Sequence, residues 1–557
     1  MILYIQMANH TFLIHGDNME NNRVMFIVLD GAPFDVLFPL AQENILPNFR
    51  MLIDKGCFNL LHSTIPPFSP VAMPSLFSGK NPGKHGIFGF GRVEKGLFKP
   101  YLSTSMPEGT LWDILSSINK KVILLNVPWT FPPFKVNGIM ISGPPIPGNR
   151  AKSYPSNLIS ILESKIGHYP PDLNLDLGAH ENVGYIGLDQ KSFLHEAYLV
   201  TRRRAEAMYY LMKNYEWEFF LVVFTTLDRM QHVFFGYFDE ESPLFDSEKR
   251  EYLTNYFKEI DSIIGKVASL LNENDYLIIA SDHGFEYVHK YVGINNLLVN
   301  GNFAKKRSDR QVFTIEKIFN FIEKIGIKDY TKFVPMKIAQ FAGRVLPRDL
   351  DYARSRAFGV PAGYVSINKG ALKNDSKYEV FKKALVDFFY SIRDESSGEK
   401  IVEKIYDTRE IYHGDHTSDA PDLVIAFKRG YEPNLWRNDA IEQVRPIEKK
   451  TVRTGSHSGL LAQRGILVIS GNGIKEKFRS EANIVDVAPT ILHISGIPIP
   501  RDIDGRVLKE VFKPETKFSQ RSTTYDELSH EKEKSKYKIS RKDEAEIVDK
   551  LKKLGYI

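Results

Sequence analysis

The stretch Arg23–Gly31, RVMFIVLDG, decides the fold. From Val24 to Leu29 no polar residue interrupts it, and it stops at the Asp30-Gly31 pair. A strand with one wet face alternates apolar and polar residues; a short continuous apolar run marks a strand covered on both faces. The pattern recurs in Lys121–Val127 (KVILLNV), Phe219–Phe224 (FFLVVF), Tyr276–Ala280 (YLIIA) and Ile466–Ile469 (ILVI). Helical periodicity fills the intervals, as in Thr110–Asn119 and Leu194–Asn214. Strands alternating with helices predict an α/β fold with a mostly parallel central sheet flanked by helices. Ligands of such sheets bind beyond the carboxyl ends of the strands.

Two regions break the alternation. Residues 286–355 hold a basic cluster (Lys305, Lys306, Arg307, Arg310) and helical patterns around Ile315–Ile325 and Met336–Val345. They read as an inserted cap, with the cluster as a solvated face. Residues 515–557 are rich in Lys, Glu, Ser and Arg and read as a charged tail ending in a short amphipathic helix, Ala545–Leu554. The expected organisation is an N-terminal extension over 1–22, a catalytic core over 23–285 and 356–514, the cap, and the tail.

The 557 residues suffice for two or more average domains or one large core with insertions. A net charge of +5 is too small to argue for nucleic acid or an anionic membrane as a stable partner. No window of eighteen apolar residues occurs, so no membrane span is expected. Residues 1–22 lack a basic region before an apolar stretch and do not read as a secretory signal. Cys57 is the single cysteine, which excludes an internal disulfide and a cysteine-based zinc site. Any metal must be held by His and carboxylates. A lone thiol fits a reducing compartment, and a cytoplasmic location is the expectation.

The strand ends carry the chemistry. Asp228 and His232 form Asp-x-x-x-His after a strand, and on a helix positions i and i+4 share a face. An N-cap aspartate with a packed histidine would read the same. Asp282-His283-Gly284 follows Tyr276–Ala280; neighbours at a strand end point to opposite sides, and Gly284 permits a sharp turn. Asp30-Gly31 alone is a common turn. His457 lies in the glycine-flanked loop Thr454–Gly459. Together, three Asp, three His and a hydroxyl suit Zn²⁺ or Mn²⁺ better than Mg²⁺ or Ca²⁺, because imidazole favours the former pair. The hydroxyl could come from Ser63, Thr64, Ser69 or Ser75. The following Phe77–Gly86 segment is glycine-rich without P-loop spacing.

The ordered stretches VLDGAPFDVL, STIPPFSPVAMPSLFSGKNPGKHGIFGF, FTTLDRMQHVFFGY, IIASDHGF, GSHSG and IVDVAPTILHISGIPIPRDIDG resemble the alkaline phosphatase superfamily. The resemblance is strongest to its type I phosphodiesterase/nucleotide pyrophosphatase branch and runs from about residue 23 to 510. It implies an alkaline-phosphatase-like core, and it singles out Ser69, ten residues before Gly79, as nucleophile. It also implies two divalent metals, zinc or manganese. One would be held by Asp228, His232 and His457, the other by Asp30, Asp282 and His283 with Ser69 as a further ligand. The implied activity is hydrolysis of a small-molecule phosphodiester or nucleotide pyrophosphate through a phosphoseryl intermediate.

There is one departure. Animal members carry an asparagine twenty-one residues after the nucleophile that contacts a phosphoryl oxygen; here Phe90 stands there. The donor would come from elsewhere, with backbone N–H groups near Ser69 as candidates. Phosphomonoesterases of this kind place an arginine beside the nucleophile, and no Arg lies between Arg50 and Arg92, which argues for diesters. A sulfatase is disfavoured, since neither Cys57 nor Ser69 begins a Cys/Ser-x-Pro-x-Arg pattern. A phosphomonoesterase, another phosphoryl- or sulfuryl-transfer enzyme of the superfamily, and an inactive metal-binding relative are the alternatives.

Overall fold

The computed structural model describes residues 3–7, 10–14, 22–94, 97–148, 150–173, 189–307, 350–372, 377–435, 437, 439–445, 449–526 and 539–553. Three strands form the middle of a nine-stranded sheet: β1 (Val24–Leu29), β2 (Phe219–Phe224) and β3 (Tyr276–Ala280). All three are buried at every position, as their unbroken apolar runs require. The sheet order is Glu481–Asn483, Cys57–His62, Arg464–Ser470, β3, β1, β2, Val122–Val127, Gly138–Ser142, Ser153–Tyr154. β1 pairs in parallel with both β2 and β3, with Phe224 level with Leu29 and Ala280 level with Val28. Their carboxyl ends therefore finish side by side.

The sheet is mostly parallel, with Arg464–Ser470 and Ser153–Tyr154 reversed against their neighbours. Helices cover its faces. The helix expected from Leu194 starts earlier, at Gln190, because Asp189 caps it by accepting a hydrogen bond from Ser192 N at 2.9 Å. Helix Ser247–Leu270 starts in the same way, with Asp246 accepting from the amides of Glu248 and Lys249. Among the described residues no helix is long and apolar enough to cross a membrane.

A second, antiparallel sheet stands apart, in the order Ala357–Val360, Tyr364–Ile367, Leu423–Phe427, Val402–Asp407. It has its own core, to which helix Tyr378–Ser391 contributes Phe381, Leu385 and Phe389. The sequence expectation placed residues 356–514 in the catalytic core together with 23–285. Of the strands in that range, Arg464–Ser470 and Glu481–Asn483 join the central sheet, while the 357–427 strands build the second sheet. The expected cap over 286–355 has residues 308–349 outside the described residues, which takes in both its helical patterns and Arg310. Its start, β4 (Glu286–Gly293), runs back against the catalytic region. Lys305 and Lys306 are exposed but Arg307 is buried, so the basic cluster is a solvated face only in part.

The C-terminal stretch is likewise more integrated than a charged tail. Phe518 is buried and Tyr525–Asp526 pairs with Ile499–Pro500. The expected terminal helix runs from Arg541 to Lys553. It starts four residues earlier than its apolar pattern because Ser540 and Asp543 exchange hydrogen bonds across its first turn. Half of the expected N-terminal extension lies outside the described residues; Leu3–Met7 and His10–Ile14 form an antiparallel pair.

Cys57 is fully buried in the sheet, and burial pushes its thiol up to about 11. The thiolate is the reactive form. A thiol reagent at about pH 8 is therefore expected to leave the native protein unlabelled and to modify one thiol per chain in denaturant; rapid native labelling would contradict this burial.

Candidate active site

Each parallel strand of the central trio delivers acidic or imidazole side chains at its carboxyl end. Asp30 follows β1 directly. Gly31, at φ +75°, takes the left-handed conformation that L side chains disfavour, and this turn lets its N–H donate to Asp282 Oδ1 at 3.1 Å. β2 leads into α2 (Thr226–Phe238), which carries Asp228 in its first turn and His232 one turn on. The spacing puts them on one face, with His232 Nε2 3.3 Å from Asp228 Oδ1. β3 ends in Asp282 and His283. Gly284 keeps an ordinary φ; its lack of a side chain serves close packing instead, because a Cβ would lie 2.6 Å from Arg464 O.

His457 is placed by pairing rather than by a central strand. The short β5 (Gly455–Ser456) pairs antiparallel with β4, Ser456 opposite Glu286, and this sets His457 beside His283 with ring centroids 4.2 Å apart. The preceding loop is tied to α2: Thr454 N donates to His232 O at 2.8 Å and Thr454 Oγ1 to Val233 O at 2.7 Å.

The geometry selects among the hydroxyls. Ser63 Oγ donates to Asp282 O and Thr64 Oγ1 to Pro66 O. Ser75 meets His85, but His85 Nδ1 accepts from Ile87 N, so its Nε2 carries the proton and cannot act as a base toward Ser75. Ser69, at the first position of α1 (Ser69–Ser78), faces the cluster. Its Oγ lies 3.0 Å from His283 Nε2 and 3.3 Å from Asp30 Oδ1. All seven sequence-derived residues, Asp30, Ser69, Asp228, His232, Asp282, His283 and His457, therefore meet in one place.

The donor set fits divalent cations. His232 Nδ1 donates to Gly455 O (2.9 Å), His283 Nδ1 to Gly284 O (2.8 Å) and His457 Nδ1 to Pro67 O (3.0 Å). A carbonyl can only accept, so each ring keeps its proton on Nδ1 and presents an Nε2 lone pair, as metal-ligating histidines do. Asp228 Oδ1 and Asp282 Oδ2 are buried and accept no hydrogen bond among the described residues. Two groups have ligand atoms all within 4.8 Å of one another: Asp30, Asp282, His283, and Asp228, His283, His457. His283 is common to both, whereas the division implied by the resemblance gave it to one ion and put His232 in the other.

Burial and the neighbouring Asp282 and Asp228 carboxylates hold Asp30 well above the usual carboxylate range, and burial raises Asp282. Burial acts on Asp228 in the same sense, yet Asp228 lies well below its ordinary value, the direction in which the Arg229 guanidinium beside it acts. Burial lowers His232 to about 4, and it lowers His457 well below its ordinary value with help from His283 and His232. These two imidazoles are therefore held neutral, the state in which they bind metal.

A pocket opens above Asp30 and Ser69, walled by Phe90, Trp129, Asp172, Thr225, Arg229 and Lys550 among others. Phe90 packs edge-on against Phe68 at 5.2 Å and lies 6.0 Å from Trp129, so an aromatic surface occupies the position of the family's asparagine. Of the amides near Ser69 expected as phosphoryl donors, Pro70 has none, and Val71 N and Ala72 N both donate to Phe68 O. Arg229 is the cation that sequence reasoning passed over. Its Nη1 donates to Asp228 Oδ2 at 2.8 Å while its side chain lines the pocket. It lies far from Ser69 in sequence, and its adjacency to Asp228 is the signal that marks it. The Phe77–Gly86 segment is bound instead to Asp502 and Asp504 through Lys80, Lys84 and Asn81.

Residues 24–459 match the model of the type I phosphodiesterase/nucleotide pyrophosphatase family. No curated protein sequence matches. Phosphonoacetate hydrolase from Sinorhizobium meliloti 1021, in complex with phosphonoformate, superposes with a TM-score of 0.53 at 12% identity, covering 89% of this chain and 99% of that one. This likeness bears on the fold. Human ectonucleotide pyrophosphatase/phosphodiesterase 5 gives a TM-score of 0.46 at 13% identity, covering 86% of this chain and 95% of that one.

Glu286 steadies the His457 loop: it is buried, and its carboxylate accepts from the amide of Gly459. Burial raises it from 4.5 to about 8 against the pull of Arg429. The folded state thus keeps a proton that the unfolded chain releases above 4.5. That contribution is complete below 4.5 and is lost as pH rises through about 8. Thermal unfolding of the metal-free protein should show wild type losing a few kcal/mol relative to Glu286→Gln between about pH 5 and pH 9. A difference independent of pH would mean that the carboxyl is charged throughout.

Proposed function

The chain belongs to the type I phosphodiesterase/nucleotide pyrophosphatase family, and on that premise we propose that it hydrolyses phosphodiester or nucleotide pyrophosphate bonds through a phosphoseryl intermediate on Ser69, with two divalent metal ions bound. The observation that carries the reading is the setting of Ser69: a half-buried hydroxyl at a helix N-terminus, 3.0 Å from a histidine lone pair and 3.3 Å from a carboxylate. A serine hydroxyl needs such neighbours to become nucleophilic.

Asp30, Asp282, His283, Asp228, His232 and His457 would hold the ions, and imidazole-rich sets favour zinc or manganese. When bound, the ions would lower the pKa of the serine hydroxyl and neutralise phosphoryl charge. Ser69 Oγ attacks phosphorus, the bond to the leaving oxygen breaks, and a phosphoserine ester forms. Water then attacks the same phosphorus and the bond to Oγ breaks, restoring the hydroxyl. His283 and Asp30 orient Oγ for the first step. Arg229, held by Asp228, presents a guanidinium to the phosphoryl oxygens, a role for which the sequence reading named backbone N–H groups near Ser69 as candidates. The N-terminal turn of α1 adds favourable electrostatics for an anion.

Arg229 also supports a second reading. A monoester brings one more negative charge than a diester, and an arginine in the pocket is what would meet it. Turnover of bis-, mono- and sulfate p-nitrophenyl esters with added Zn²⁺ or Mn²⁺ separates the two; the diester should be the best substrate, and a monoester preference would favour the second reading. Ser69→Ala should lower diester turnover on the order of a thousandfold or more, while Zn²⁺ still binds by calorimetric titration. Near wild-type turnover in that variant would remove Ser69 as nucleophile.

A further inference from the structure

The terminal helix α3 (Arg541–Lys553) reaches the catalytic pocket, where Lys550 and Leu551 share its wall with Asp30, Ser69 and Arg229. Ile547 and Leu551, one turn apart, are 0% and 1% exposed and join the main core. This face of the helix is therefore docked. Lys550 lies on the same face, three residues after Ile547, and its side chain is only 12% exposed.

Asp172 is one of its partners. The Lys550 Nζ to Asp172 Oδ2 separation is 3.9 Å, an ion contact too long for a hydrogen bond. Asp172 has a side chain 2% exposed; its Oδ1 accepts from Leu173 N at 2.9 Å, while its buried Oδ2 accepts no hydrogen bond among the described residues. Removing both charges from water is costly, and a contact of this length offsets that only in part. The steps at Ser69 make no use of the pair. It stands on the pocket wall shared with Phe90 and Trp129, within the space that a phosphoryl group on Ser69 would face.

We propose that Lys550 is a specificity residue: it binds a second anionic group of the substrate, adjacent to the scissile phosphoryl group, so that pyrophosphate-linked substrates are favoured over simple diesters. This rests on the phosphodiesterase reading above. Before substrate arrives Asp172 supplies the ammonium with a counter-charge, one that competes with the substrate's second anion. The flexible lysine stem then lets it donate to the second phosphoryl group, whose charge replaces that of Asp172 as partner. Arg229 remains with Asp228 at the scissile phosphorus. The charged tail thus contributes a substrate-binding group from nearly the far end of the chain.

The test uses the full-length, Zn²⁺-loaded enzyme and the variants Lys550→Ala, Lys550→Arg and Asp172→Asn. Two substrates are compared: bis(p-nitrophenyl) phosphate, which has no second anion, and a dinucleoside diphosphate, which does. Lys550→Ala should raise KM for the diphosphate roughly tenfold or more and leave the simple diester within about twofold. Lys550→Arg should restore most of the loss, and Asp172→Asn should leave diphosphate KM unchanged or lower. Equal losses on both substrates, or Asp172→Asn as harmful as Lys550→Ala, would show a structural ion pair and overturn the assignment. So would gains on both substrates, which would mark the helix as an obstruction. If the wild type hydrolyses neither substrate, the phosphodiesterase reading fails by itself. Lys550 is then judged by calorimetric binding of inorganic pyrophosphate against inorganic phosphate, and an unchanged preference in Lys550→Ala overturns its role.

Discussion

Three carboxylates buried in one cluster are the constraint on which the rest of the structure depends. Asp30, Asp228 and Asp282 are each at most 4% exposed. Like charges so placed cannot all stay ionised without compensation, and the opposed directions in which Asp30 and Asp228 are pushed express that conflict. Compensation comes from Arg229, from Ser69 and from the Gly31 amide. Divalent cations would complete it, which is why the same residues read as a metal site. An apolar sheet is what makes the arrangement possible, because its covered strands hold the cluster away from water.

The supports of the cluster are backbone groups more than side chains. Each histidine is oriented by a carbonyl: Gly455 O, Gly284 O and Pro67 O. Those carbonyls belong to the β5 loop, the β3 exit and the loop before Ser69. A shift in any of these segments would move one imidazole relative to the others, so the site depends on the pairing of β5 with β4 as much as on the central sheet. The pocket above is built differently. Its walls come from loops and from the last helix, which is where members of one fold can differ in the substrate they accept.

The α/β class was legible because Val24–Leu29, Phe219–Phe224 and Tyr276–Ala280 carry no polar break, and a strand buried on both faces allows none. The ordered motifs also made the seven site residues legible. Less legible was anything set by contacts between distant segments. Arg229 stood in plain sight next to Asp228, yet its reach into the pocket follows from how α2 leaves β2. The strands of residues 357–427, expected within the catalytic core, pair only with each other. Lys550 looked like one charge in a solvated tail until Ile547 and Leu551 were seen to be buried.

By itself the sequence determined the strands, their chemistry-bearing ends and the family, since local apolar runs and motif order are properties of the chain read in one dimension. Tertiary structure alone decided which nitrogen each histidine presents and which cations enter the pocket. Those depend on hydrogen bonds and burial between residues as much as 390 positions apart, as His457 and Pro67 are, and no local pattern encodes such a meeting.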